Sequence, residues 1–135
     1  MCLLTYQKEP IILKEDKVVW KLLEEDLSAS HTDFQYTLGV LNKQAIKFST
    51  DMIRFDKEQV IYQDIYGRPL PNVVSIGEGL HSFYSEEYID LILARHAVYQ
   101  DWCKFKAIIP AGSEYYEDET GLCVSNQIII VEKVD

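Results

Sequence analysis

The sequence predicts an α+β fold: a mostly antiparallel sheet with one main helix, over about residues 85–101, packed on one face. Three observations predict it. Ser85-Glu86-Glu87 reads as a helix start, because the serine hydroxyl can accept a bond from an orphan helical N–H and carboxylates favour the positive end of the helix dipole. Tyr88, Ile89, Ile92, Leu93, His96, Ala97 and Tyr99 then recur at helical spacing and give one apolar face. Directly afterwards Cys103, Phe105, Ala107 and Ile109 alternate with Lys104 and Lys106, the period of a half-buried strand, and Pro110 closes it because proline donates nothing to a ladder. Strand-like segments dominate the rest of the chain.

In chain order, residues 1–10 form a short strand or an ordered arm ahead of the brief apolar run Ile11-Ile12-Leu13. Lys17 to Leu23 is rich in β-branched and aromatic residues and reads as a strand. A polar loop carries Glu24 to Asp33, and Phe34 to Leu41 reads as a strand that Gly39 weakens or bulges. Asn42 to Phe48 holds either a short helix or an irregular segment. Gln59 to Tyr66 is a strand, residues 67–71 are a break, and Asn72 to Ile76 is a further strand. Gly77 and Gly79 bracket Glu78 and suggest a turn with positive φ or a close backbone approach, after which Leu80 to Tyr84 is a short strand or extended loop. Glu114 to Glu117 and Leu122 to Ser125 read as arms of a hairpin with its tip at residues 118–121, and Ile128 to Glu132 is the last strand.

At 135 residues, with 47% hydrophobic and 26% charged residues, a single domain spanning 1–135 is expected. The net charge of −9 argues against nucleic acid, whose binding draws on Lys and Arg displacing counterions, and against an anionic membrane surface. Cys2, Cys103 and Cys123 are odd in number and form no CxxC, so neither a zinc knuckle nor a thioredoxin-like motif is expected. With no signal-peptide pattern and no apolar run of membrane-spanning length, the cytoplasm is the expected location.

His81 and Ser82, after the paired glycines, are the best polar candidates: free N–H groups of a turn can hold an anion, to which both side chains can donate. A loop histidine capping a neighbouring carbonyl is the favoured alternative. His31 and His96 are scattered and make no metal-binding spacing, so neither metal nor cofactor is expected. Glu114, Glu117, Asp118 and Glu119 form an acidic group around Tyr115 and Tyr116. A solvated hairpin end is the favoured reading, with one tyrosine in the core and the other on the surface, able to stack on a ligand. No nucleophile elbow, P-loop or dinucleotide fingerprint is present.

The opening MCLLTYQKEPIILKEDKVVWKLL, the turn GEGLHSF and the segment AIIPAGSEYYEDETGLCVSNQIII resemble a group of short proteins encoded by gut bacteria and their phages. Those share an MC-x-x-T start, a G-x-G-[FL]-H-S-F turn and an I-P-x-G-S-x-Y-Y segment. The resemblance implies a phage or mobile-element setting and assigns no activity. More distantly, the V-[YW]-[RK] strand, a glycine–aromatic turn before a helix and a strand ending in I-P-x-G resemble the layout of ADP-ribosyltransferase-like domains. That resemblance implies a role for Lys21 where the family has an arginine, for Ser82 at a serine position, and for Glu114 or Glu117 near the catalytic glutamate. Lysine departs from the pattern, since an ammonium does not replace a planar bidentate donor.

The expectation is therefore a non-enzymatic binding protein engaging a protein or small polar ligand, with Lys21, Gly77, Gly79, His81, Ser82, Glu114, Tyr115 and Tyr116 as candidate ligand residues. The alternatives are a divergent or degenerate ADP-ribosyltransferase-like enzyme and an oligomer that sequesters a nucleotide signal. A homo-oligomer is compatible with all three.

Overall fold

The computed structural model describes residues 3–29, 34–48, 53–56, 59–63, 66–70, 73–95 and 102–134. Its strands are, in chain order, β1 (Leu3–Thr5), β2 (Ile11–Ile12), β3 (Lys17–Leu23), β4 (Leu41–Lys43), β5 (Lys47–Phe48), β6 (Ile53–Asp56), β7 (Gln59–Gln63), β8 (Pro69–Leu70), β9 (Val74–Glu78) and β10 (Leu80–Phe83). After the helix α1 (Glu86–Arg95) come β11 (Cys103–Ile109), β12 (Glu114–Glu117), β13 (Leu122–Ser125) and β14 (Gln127–Val134). Eight strands form one sheet in the order β2-β12-β13-β10-β3-β11-β14-β4, while β1-β9-β5 and β6-β7-β8 form two smaller ones. Every ladder between named strands is antiparallel. Among the described residues the architecture is α+β, one helix on a mostly antiparallel sheet, as the sequence predicts.

Period-2 alternation divides the large sheet into two faces. On the first, Val19 and Leu23 of β3, Leu80 of β10, Phe105, Ala107 and Ile109 of β11, and Ile128 and Ile130 of β14 form a dry core. The segment between β3 and β4 covers it with Leu27, Ala29, Phe34 and Tyr36. On the second, Leu22, Phe83, Leu122 and Val124 pack with Leu3 and Ile76 of the small sheet and with Ile89 of the helix. Each fully buried aliphatic side chain contributes about 1.5–3 kcal/mol. Ser85 caps α1, its hydroxyl accepting the Tyr88 N–H at 3.3 Å. Residues 96–101, where the sequence extends the helix, lie outside the described residues.

Three expectations are corrected, and a choice between two readings is decided. Residues 34–40 make no strand: Gln35 and Leu38 form only isolated bridges, and Gly39 turns at φ 76° before β4 begins at Leu41. Asn42–Phe48 is not helical, because Asn42 faces inward and its amide bonds Thr37, Val40 and Ile128 carbonyls, fixing an extended path. The break at 67–71 contains β8, where Pro69 lies on an edge strand that asks nothing of its missing N–H. Of the two readings of the paired glycines, positive φ in a turn or a close backbone approach, the close approach holds, at Gly79. Gly77 continues β9, and the chain passes at Gly79 (φ 141°) from the small sheet into β10 of the large one. A Cβ at Gly79 would overlap the Val124 side chain, so close approach explains the glycine.

Candidate functional site

The antiparallel registers place the candidate residues on opposite faces. Ser82 faces Cys123 across β10–β13, and Cys123 faces Glu117 across β13–β12. One step from the Phe83–Trp20 pair, Ser82 and Lys21 share the first face. Lys21, Ser82, Cys123 and Glu117 thus form one cross-strand row of polar groups running through the apolar core. His81, Val124 and Tyr116 stand in line on the other face. Tyr115 belongs to the first face and Tyr116 to the second, as alternation requires. Both are buried, so the expected surface tyrosine is absent; the Tyr116 ring instead meets Phe48 edge-on at 6.3 Å. Glu114, one step along β12 from Tyr115, falls off the row, and its backbone and carboxylate are engaged by Asn126.

Lys21 is the most unusual member. The residue is 5% exposed, its ammonium donates to the His81 carbonyl, and it lies 4.4 Å from the centre of the Tyr36 ring. None of the ion pairs among the described residues involves it. Burial pulls its pKa down to about 7. Next along the row, Ser82 Oγ and Cys123 Sγ share a hydrogen bond at 3.1 Å. Burial pushes the Cys123 thiol up to about 11, so it stays protonated and unreactive at neutral pH. At the outer end the Tyr115 hydroxyl donates to Glu117 at 2.8 Å. Lys17, two positions from Val19 on the same face, spreads its ammonium over the Tyr115 and Tyr84 rings at 5.4 and 5.9 Å.

His81 plays the capping part: Nδ1 lies 3.2 Å from the Gly79 carbonyl. Among the described residues its Nε2 is buried without a hydrogen bond of good geometry, and burial, reinforced by the Lys21 charge, lowers its pKa to about 4. At the hairpin tip Asp118 Oδ1 accepts the Thr120, Gly121 and Leu122 N–H groups and the Thr120 hydroxyl, so the carboxylate is spent on the turn. A surface depression lined by Leu4, Thr5, Tyr6 and Val73 includes none of the residues chosen from sequence. Among the described residues no group of His, Cys, Asp and Glu is placed to hold a metal ion, and no helix is long and apolar enough to cross a membrane. His31 and His96 lie outside the described residues.

The structure therefore joins Lys21, Ser82 and Tyr115 with Lys17, Tyr36, Tyr84, Glu117 and Cys123, and separates from them His81, Tyr116 and Glu114. Lys17 and Lys21 had a signal in the sequence: a strand reading Lys17-x-Val19-x-Lys21-x-Leu23 puts two lysines on the face that buries Val19 and Leu23. No protein-family model, curated protein or solved structure matches this chain.

Proposed function

We propose that this chain is a non-enzymatic cytoplasmic binding protein of a phage or mobile element that takes a small polar ligand at the first face of its large sheet. The observation that carries this reading is the row Lys21–Ser82–Cys123–Glu117, and within it a lysine buried without an ion-pair partner among the described residues. Such a group costs stability, and groups of this kind concentrate at functional sites. The half-buried Lys17 and Tyr84 give the ligand its approach, and the buried Tyr115 ring lies behind the Lys17 ammonium. Binding without turnover fits the state of the nucleophiles: Ser82 is paired with a thiol rather than with the amine, and the thiol is held protonated. A thermal-shift and calorimetry screen of nucleotides, sugar phosphates and amino acids tests the reading. A hit should raise the melting temperature and lose its effect in Lys21→Met; a blank screen together with measured turnover of a nucleotide would sink it.

A second reading, a divergent ADP-ribosyltransferase-like enzyme, is favoured by one specific observation. Lys21, Ser82 and Glu117, three positions that the resemblance singles out, share the row, whereas Glu114 does not. Calorimetry with NAD, followed by labelled NAD incubated with cell extract, separates the two readings. NAD binding with transfer of label supports the enzyme; no NAD binding removes it.

A further inference from the structure

β14 carries an unbroken apolar run, Ile128-Ile129-Ile130-Val131, where a strand with one wet face should alternate. Ile128 and Ile130 are fully buried on the first face. Ile129 points to the other face, where the registers put it directly opposite Ile108 on one side and Leu41 on the other, while Ile108 stands opposite Val18. Val18, Ile108, Ile129 and Leu41 thus form a straight aliphatic row across four neighbouring strands. It remains partly open to solvent: Val18 is 44%, Leu41 42% and the adjoining Val131 38% exposed. The helix lies on this same face but packs against β3 and β10. The row ends at β4, the last strand of the sheet.

Charges flank the row asymmetrically along the strand direction. On one side is Lys43, paired in register with Gln127; on the other is Glu132, paired in register with Lys106. Lys43 and Glu132 are both exposed, and neither side chain has a hydrogen bond or ion pair among the described residues. We propose that the Val18–Ile108–Ile129–Leu41 row is the centre of a symmetric dimer in which a second copy of this chain lies face to face across it. A two-fold axis running along the row sets Leu41 on Leu41 and Ile129 on Ile129, as an isologous interface requires. The same axis turns the Lys43 flank of each copy onto the Glu132 flank of the other, giving two complementary pairs. Lys106 sits one strand further in and so farther from Lys43 than Glu132 does. An axis along the strands would instead set Lys43 against Lys43. The net charge of −9 on each copy opposes association at long range, but at physiological salt screening acts over about 8 Å, while the row itself carries no charge.

Sedimentation equilibrium of the full chain, with circular dichroism as a check on folding, tests the proposal. Ile129→Asp and the milder, surface-exposed Leu41→Arg should each raise the dimer dissociation constant at least about 30-fold while the protein stays folded. Lys43→Glu should weaken the dimer by roughly 10-fold, two rim pairs being lost at once, and Lys43→Glu combined with Glu132→Lys should restore it. Leu41→Cys should form a disulfide between copies under mild oxidation, at a rate the wild-type cysteines do not match. A chain that stays monomeric at all concentrations overturns the proposal, as does a dimer untouched by Leu41→Arg. A dimer that Leu41→Arg breaks but the charge swap fails to restore overturns the arrangement along the row.

Discussion

The two faces of the large sheet hold a lysine ammonium in opposite ways. On the first face Lys21 sits in the core with one carbonyl and one aromatic ring for company. On the helix face Lys104 reaches Glu86 at 2.8 Å and Asp90 at 3.0 Å, both on α1, and its pKa rises, chiefly through the Glu86 bond. The difference is one of solvent as well as partners. The two carboxylates are half wet, so Lys104 keeps its charge cheaply, whereas Lys21 is stripped of water and compensated by dipoles alone. A cation placed this way lowers stability unless something else uses it. This makes the first face the place to look for a ligand, and the pH dependence of folding the place to look for the cost.

The largest effect expected is from Lys21. Its pKa of about 7 in the folded chain lies below the ordinary 10.5, so between those values the unfolded chain binds more protons and stability rises with pH. The penalty is fully present below pH 7 and relieved as pH approaches 10, amounting to at most ~5 kcal/mol at 1.36 kcal/mol per pH unit. Lys21→Met keeps the stem and removes the amine. Urea unfolding should show it more stable than wild type at pH 6 and no better at pH 10; a variant less stable at pH 6 would mean that the amine is well compensated and that the two faces do not differ.

His81 extends the comparison to the other face. Its folded value of about 4 lies below 6.5, so stability falls as pH drops from 6.5 towards 4, by up to ~3 kcal/mol. His81→Gln should flatten that acid limb and leave the limb between 7 and 10 unchanged. If the acid limb survives the substitution, another group carries it.

Cys123 sharpens what the first face tolerates. Cys123→Ala removes a fully buried side chain and leaves Ser82 Oγ without its partner, for a loss of about 1–3 kcal/mol. Cys123→Ser supplies a hydroxyl in place of the thiol and should recover part of that loss in the same unfolding assay. Equal losses in both variants would show that the hydrogen bond contributes nothing.

Much of this contrast was legible in the sequence, and the unread part has a physical reason. The cap at Ser85, the alternation of Cys103 to Ile109 and the hairpin at residues 114–125 are local signals, and β3 coincides with its apolar run. What failed was non-local. Residues 34–40 have strand-like side chains but spend them as a cover for the first face, with Tyr36 lying over Lys21. His81 and Ser82 are neighbours in sequence and so, once β10 is a strand, face opposite ways. Glu117 rather than Glu114 joins the row because only the register of β12 on β13 decides between them.

The smallest effect belongs to Lys104, and it is the sharpest test of the contrast. Two exposed partners limit the ion pairs to no more than about 1 kcal/mol, and methionine keeps most of the aliphatic stem, so its packing largely survives the substitution. A raised pKa gives stability that is present at neutral pH and lost as pH rises through the folded value, opposite in sign to Lys21. Lys104→Met should therefore change the urea midpoint little at pH 7, and 1 M salt should shrink the difference further. Lys21→Met should keep most of its gain at the same salt, because a buried group is poorly screened. Equal salt sensitivity in the two variants would place both lysines in water and abolish the distinction between the faces.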